Sequence, residues 1–400
     1  MLPASGLSAV DLAVIVNEQD PLSIKIADYY QRKRGVPEAN ILHISFKPQQ
    51  PSMRPGEFAV LEKIVESKIP DHIQAYALTW AAPYRVGCMS ISSAFALGYD
   101  IKYCAKGCKP TATNLYANSN SARPYADFSI RPTMLLAAEN FAQAKRLIDR
   151  GVAADGVAVT DSGLRGAAYL VETPDKNRSV RKVFFPAIKN SFGERLPVEI
   201  QQSKTLEGKL DVMFYFTGAA HVRDIDTNVY LPGAMADHLT STGGQLTNSS
   251  QMSALRWLEA GATGSYGTVV EPCNLLSKFP NPFVALSKYT QGASLIEAYW
   301  KSVQTPGQGV FIGEPLAKPY RGYRLQLDGG SFKLSSPVLT PGHYAVWVAD
   351  TREGPFRLLR SGVAITAFQS SIRLSPPYSA FYKIERLEVF GQLPIPHLLQ

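Results

Sequence analysis

The sequence predicts an α/β protein built on a mostly parallel sheet with helices on both faces, followed by a small antiparallel β module. Three observations predict it. Between Asp11 and Tyr320, apolar runs of strand length alternate with stretches whose apolar residues recur at helical spacing. Beyond Tyr320 the runs become short and closely spaced, with Gly and Pro turns between them. A chain of 400 residues is also longer than most single cores, so two domains are expected, with a boundary near residue 320.

The elements follow in order. Leu12-Ala-Val-Ile-Val16 is a buried-strand run, and 23–34 carries Ile26, Tyr29 and Tyr30 on one helical face. Gly35 stops that helix, and 41–46 is the next strand. Strand, helix and strand imply a parallel pair with a right-handed crossover. A helix over 58–69 and a strand over 73–80 repeat the pattern. The turn Asn17 to Pro21 lacks the Gly-x-Gly-x-x-Gly spacing, so no dinucleotide cofactor is expected. From about 81 to 130 the periodicity lapses. Loops this long in compact domains are usually functional or disordered, and the tyrosines here favour an ordered lid or partner surface. A helix over 140–151, a strand over 167–171, a helix over 176–191 and a strand over 198–202 resume the alternation. In the β module, strands are expected over 323–327, 344–348, 356–360 and 381–389, as in a β-sandwich.

The stretch from Asp211 to Tyr320 is where chemistry is expected. Val212-Met-Phe-Tyr-Phe216 delivers Thr217, Gly218 and then His221, and a strand over 266–270 delivers Glu271, Pro272 and Cys273. Ligands of open parallel sheets bind outside the carboxyl ends of the strands, where both runs place polar residues. Between them, Asn248 is an expected N-cap, Met252, Leu255 and Leu258 recur at helical spacing, and Gly261 closes the helix. A thiolate needs a base or a depressed pKa to attack a carbonyl, which a Cys273–His221 pair supplies. Glu271 is the candidate general acid or base. Each residue also has a structural reading: Cys273 as a small core residue, His221 as a loop residue facing solvent, Glu271 as an ion-pair partner of Arg256 or Lys278. A strand through Asp237 to Gly243 between the two runs would hold Cys273 and His221 about 10 Å apart at sheet spacing.

The net charge of +8 is spread over short stretches such as Arg32-Lys33-Arg34, without interleaved aromatics, so nucleic acid is not an expected partner. No run reaches the ~18 apolar residues of a membrane span. No charged and apolar leader precedes the first strand, so no export signal is read and the location stays open. Of the four cysteines, Cys88, Cys104 and Cys108 lie in the long insertion. The spacing Cys104-Ala-Lys-Gly-Cys108 fits a local disulfide, reduced packing cysteines or part of a structural metal site; no histidine nearby completes a metal set, and none is assigned.

The run Gln251 to Cys273, with Lys278-Phe-Pro-Asn-Pro282, Glu297-Ala-Tyr-Trp-Lys-Ser302 and Pro306 to Ala317, resembles an uncharacterised bacterial family found in genomes that carry exosortase protein-sorting systems. Val14-Ile-Val-Asn17 and Arg34 to Asn40 are similar to that family too. A more distant resemblance is to gingipain-type and caspase-like cysteine peptidases, where one strand ends at Thr-Gly and a catalytic His and a later one at the nucleophilic Cys. Phe216-Thr-Gly-Ala-Ala-His221 is similar to the first half, with two extra residues before the His. The second half departs, because 245–249 holds no cysteine and Cys273 comes one strand later. The resemblance implies a caspase-like sheet, with a flavodoxin-like one as the alternative. It also implies a cysteine hydrolase acting on a protein or peptide, with Cys273 as nucleophile, His221 as base and backbone donors near Gly218 as an oxyanion site. The competing expectation is a non-catalytic protein of a bacterial envelope or surface system, whose insertion and β module bind a partner.

Overall fold

The computed structural model describes residue 2 and residues 6–105, 107–160, 163–366 and 371–387. Contacts divide the chain into two compact units: Gly6 to Tyr320, and the described residues from Arg321 onward together with Leu2.

Ten strands form the main sheet of the first unit. They are β1 Leu12–Asn17, β2 Ile41–Ile44, β3 Ala75–Leu78, β4 Thr133–Leu135, β5 Ala167–Glu172, β6 Val198–Gln202, β7 Val212–Gly218, β8 Tyr230–Leu239, β9 Gly264–Thr268 and β10 Gly309–Gly313. Their order is β6-β5-β7-β8-β9-β10-β4-β3-β1-β2. All neighbours are parallel except β9 and β10, which are antiparallel from Gly264 opposite Gly313 to Thr268 opposite Gly309. The sheet is therefore two parallel halves running in opposite directions. The carboxyl ends of β5 to β9 gather at a first rim, and those of β1 to β4 and β10 at a second, opposite rim. Every candidate residue read from the sequence belongs to a loop of the first rim.

Local chemistry accounts for the elements. All six residues of β1 are buried, as a strand covered on both faces requires. In helix α1, Pro21–Arg34, the Asp20 side chain accepts from the Leu22 N–H, Pro21 occupies the first turn, and Gly35 ends the helix at φ 65°. Its buried face is Ser23, Ile26, Ala27 and Tyr30. The other helices are α2 Pro55–Lys68, α3 Ile91–Leu97, α4 Pro124–Phe128, α5 Phe141–Ala153, α6 Phe185–Phe192, α7 Leu255–Ala260, α8 Pro282–Thr290 and α9 Leu295–Ser302. They cover both faces, as neighbouring residues of β7 show. Phe214 packs edge-on against Tyr289 of α8, and Tyr215 packs on the opposite face against Trp257 of α7 at 4.9 Å between ring centroids.

Several boundaries differ from the expectation. The helix expected from Asn248 begins at Leu255, because the residues before it are drawn into side-chain hydrogen bonds at the rim. The helix expected over 176–191 is a 3-10 segment, Ser179–Phe184, followed by α6. β4, β10 and most of β8 join the strands read from the sequence. The insertion is an ordered crossover from the second rim, where β3 ends, to the first rim, where β4 begins. It carries a small hairpin, Arg85–Val86 with Met89–Ser90, and helices α3 and α4. Hydroxyl groups pin it: Ser90 donates to the Gly309 carbonyl at 2.6 Å and Ser93 to the Pro306 carbonyl at 2.7 Å.

Two buried ion pairs brace the main sheet. Arg34 of α1 pairs with Glu314, just past β10, whose Oε1 also accepts from Tyr30 Oη at 2.7 Å. Arg181 pairs with Asp237 of β8 at 2.5 Å and donates to the Thr217 carbonyl at 2.7 Å.

The second unit has two three-stranded antiparallel sheets. One is β11 Arg324–Asp328, β12 Ser331–Ser335 and β15 Ser371–Leu374; the other is β14 Arg357–Ile365, β13 Gly342–Ala349 and β16 Phe381–Arg386, each in that spatial order. Leu334, Tyr344, Val346, Ile372 and Ile384 form its core. The expected strand 381–389 is described as far as Arg386, and residues 388 and 389 lie outside the described residues.

Candidate functional site

β7 is buried throughout and ends at Gly218, where a methyl group would overlap the Arg178 carbonyl, so the chain behind it closes over the strand end. His221 follows on an exposed turn and makes no hydrogen bond to a described residue. Near its end, β8 carries Asp237 and His238, whose side chains point to opposite faces. His238 is sealed. Its Nδ1 accepts from the donor-only indole N–H of Trp257 at 2.9 Å, so the proton is on Nε2, which donates to the Met252 carbonyl at 3.1 Å. Burial, with nearby cationic groups adding to it, holds the pKa of His238 down at about 3. It is a neutral core histidine, out of reach of a ligand.

The loop from Thr240 to Ala254 fills the rim between the exits of β7 and β9. Gln251 Oε1 ties it down, accepting from Thr240 Oγ1 at 2.6 Å and from the backbone N–H groups of Ser241 and Thr242 at 2.9 and 3.0 Å. Ser249 Oγ donates to the Thr242 carbonyl at 2.8 Å. The loop bonds on one side to Ala220, through the Met252 N–H, and on the other to Thr268, through the Gly244 N–H, both at 2.9 Å. Gly243 and Gly244 lie so close to Gly267 that a side chain has no room at the contact. Neither Gln251 nor Thr240 was singled out as a rim residue from sequence. A helix cap was the reading for this stretch, since hydrogen-bonding residues before an apolar periodicity serve either purpose.

Beyond β9, Glu271 Oε1 accepts the Cys273 N–H at 2.7 Å, and the Glu271 carbonyl accepts from Gln308 Nε2 at 3.0 Å. Cys273 has φ 54°, a left-handed conformation uncommon outside glycine. Its sulfur is bonded to Cys108, 165 residues earlier, with Cα atoms 5.4 Å apart. Cys88 is bonded to Cys104. Cys104 and Cys108 thus have separate partners, and the short loop that their spacing also allowed is not formed. All four cysteines are used, which leaves no thiolate for a metal, and among the described residues no group of three or more His, Cys, Asp or Glu side chains is placed to hold one. Behind this loop Lys278 is buried, and its Nζ has no hydrogen-bond partner among the described residues. Burial lowers its pKa, and the nearby Glu271 opposes that shift. Arg256, the other partner considered for Glu271, pairs instead with Glu139 and Glu259.

The structure brings Glu271 and Cys273 together, and joins Cys273 to the insertion. It does not bring His221 to them. β8 and its rim loop lie between, held to the His221 side at Ala220 and to the Cys273 side at Thr268. A sulfur in a disulfide carries no nucleophilic thiolate, so the expected Cys273–His221 pair is not formed in this oxidised state. Among the described residues, no helix is long and apolar enough to cross a membrane.

No family model and no curated protein matches the sequence. Among solved structures the chain is similar to a protease, with TM-score 0.40, 10% identity and 94% of each chain covered. It is also similar to a chain in the complex of pro- and mature domains of RgpB from Porphyromonas gingivalis, with TM-score 0.43, 8% identity, and coverage of 94% of this chain and 100% of that one.

Proposed function

We propose that this is a partner-binding protein of a bacterial envelope or surface system, acting in an oxidising compartment. One observation carries the reading: the sulfur that would have been the nucleophile is spent on fastening the insertion to the first rim. Disulfides persist where the surroundings oxidise, and a chain whose four cysteines are all paired fits such a place. The resemblance of the Gln251 to Cys273 run to a family that accompanies exosortase systems agrees with an envelope setting. In this reading the braced insertion and the first rim present surface to a partner, and Glu271 serves the turn that positions Cys273.

The second reading is a peptidase-like cysteine hydrolase with Cys273 as nucleophile, His221 as base and Glu271 as an assisting acid or base. It is favoured by the position of Glu271 and Cys273 outside the carboxyl end of a central strand, where open sheets place their chemistry. It requires Cys108 to be released from Cys273 by a thiol reductant.

Alkylation of the native protein with iodoacetamide at neutral pH, read by peptide mass spectrometry, separates the two. Binding-protein chemistry gives no label on Cys273 until reductant is added, and then labelling that His221→Ala leaves unchanged. Rapid labelling of Cys273 once reductant is present, lost in His221→Ala, would support the hydrolase instead.

A further inference from the structure

Where the insertion folds back beside α2 and the amino end of β3, it leaves a cavity of about 460 Å³, within the size range of small-ligand sites. Part of its lining is acidic. Glu62 and Glu66 stand one turn apart on α2, and Asp71 follows in the turn that leads to β3. In a chain of net charge +8, none of these three carboxylates forms a hydrogen bond or an ion pair with a described residue. Gly98 follows α3 at φ 74°, where a side chain would be strained and would come within 3.3 Å of Glu62 Oε1, so glycine leaves that carboxylate uncovered. Burial, and after it the charge of Glu66, raises the pKa of Glu62, as befits a carboxylate that lacks a cation.

The fourth charged group of the lining is Arg131, just before β4. It is buried and its Nε donates to the Ile73 carbonyl at 3.0 Å, yet no carboxylate among the described residues pairs with it. Its guanidinium lies 3.2 Å from the ring centroid of Tyr125 and 5.6 Å from that of Tyr76. A buried guanidinium without a counter-ion is costly, and its outer N–H groups are suited to gripping a carboxylate. Because Arg131 already covers the Tyr125 ring, a cation that enters the cavity is received by the carboxylates rather than by that aromatic face. Val65, Phe95 and Leu97 supply apolar surface to the same lining.

We infer that this cavity binds a free α-amino acid with a large apolar side chain. Glu62 and Glu66 hold its ammonium, Arg131 holds its carboxylate, and its side chain rests on Val65, Phe95 and Leu97. A zwitterion is the class of ligand that meets both kinds of unpaired charge at once. A plain amine would leave Arg131 without a counter-ion, and a plain carboxylate would face three groups of its own sign. The site uses no residue of the loops that carry His221 and Cys273, and it stands under either reading of those loops.

The test is calorimetric titration of the full chain with L-phenylalanine and L-leucine, and with two analogues: L-phenylalaninamide, which lacks the carboxylate, and N-acetyl-L-phenylalanine, which lacks the ammonium. At least one amino acid should bind, and each analogue should bind about ten-fold or more weakly than phenylalanine, as expected when a charged partner is lost. Glu62→Gln keeps the shape of a half-buried side chain and should weaken the amino acid by about ten-fold, with an unchanged circular dichroism spectrum as the check on folding. The amide comparison reads the part played by Arg131 without altering that buried residue. Failure of both amino acids to bind, equal binding of phenylalanine and its two analogues, or an undiminished affinity in Glu62→Gln overturns the inference. Spermidine bound more tightly than either amino acid would make the cavity a site for amines alone and overturn it as well.

Discussion

At the first rim of the main sheet, long loops are held by one glutamine side chain, by glycines pressed against glycine, and by a disulfide reaching into a distant insertion. At the second rim polar side chains provide non-covalent fastening. Asn17 Oδ1 accepts the N–H groups of Gln19 and Phe46, Ser23 bonds Thr79 at 2.6 Å, and Glu314 gathers Arg34, Tyr30 and the Leu316 N–H. The difference shows where chain entropy must be overcome. A three-residue turn after β1 orders itself through its own polar groups, whereas the insertion and the loops after β8 and β9 have many more residues to restrain. A covalent link is most effective where the segment it closes is longest.

Three experiments sharpen or break this contrast. The largest effect is expected from the disulfides. Replacing Cys108 and Cys273 together by Ala opens a separation of 165 residues and should cost about 5 kcal/mol on the chain-entropy scale, whereas Cys88 with Cys104, separated by 16, should cost about 3 kcal/mol. Urea unfolding of the two double variants checks the order, and equal losses would mean that the long link does not restrain the first rim.

Next come the buried ion pairs. Arg181→Met leaves Asp237 without its cation and with Oδ2 unpartnered, an expected loss of about 3–5 kcal/mol. Arg34→Met leaves Glu314 still accepting from Tyr30 and Leu316, so about 1–3 kcal/mol is expected. A reversal of that order in urea midpoints would place the more demanding charge at the second rim.

The smallest effect is a slope. His238 is neutral when folded, its pKa about 3 against an ordinary 6.5, so below pH 6.5 the unfolded chain takes up a proton that the folded one refuses. The stability from this site is complete above that value and is lost as the pH falls toward 3, by about 1.4 kcal/mol per pH unit. His238→Gln should flatten the pH dependence of the thermal midpoint between pH 6 and 4. An unchanged slope would show that other groups govern it.

Much of the α/β unit was legible because its signals are local. β1 is an unbroken apolar run, and α1 carries its cap, its proline and its terminal glycine in sequence. Of β8, the sequence offered only a strand from Asp237 to Gly243 between the two runs; its longer first part, Tyr230 to Ala236, was hidden by Pro232 and Gly233, and Asp237 and His238 are satisfied by Arg181 and Trp257. β10 is five residues with glycine at both ends, too short and too flanked by Gly and Pro to stand out as a strand. Its Gly309 is needed where the Tyr266 ring passes too closely for any side chain. At the site, the approach of Glu271 and Cys273 to one rim followed from β9, but the partner of Cys273 could not be read. Four cysteines allow three connectivities, and nothing local distinguishes them. Nor did any local pattern announce that the sheet changes direction between β9 and β10.

That reversal divides the electrostatics of the fold. In a sheet with one direction throughout, the helices that follow the strands would all turn their positive amino ends toward the same edge. Here α6, α7 and α8 begin near one edge, while α1 and α5 begin near the other. The macrodipoles oppose each other across the molecule, and neither edge collects the full field that a singly directed α/β sheet would offer an anion.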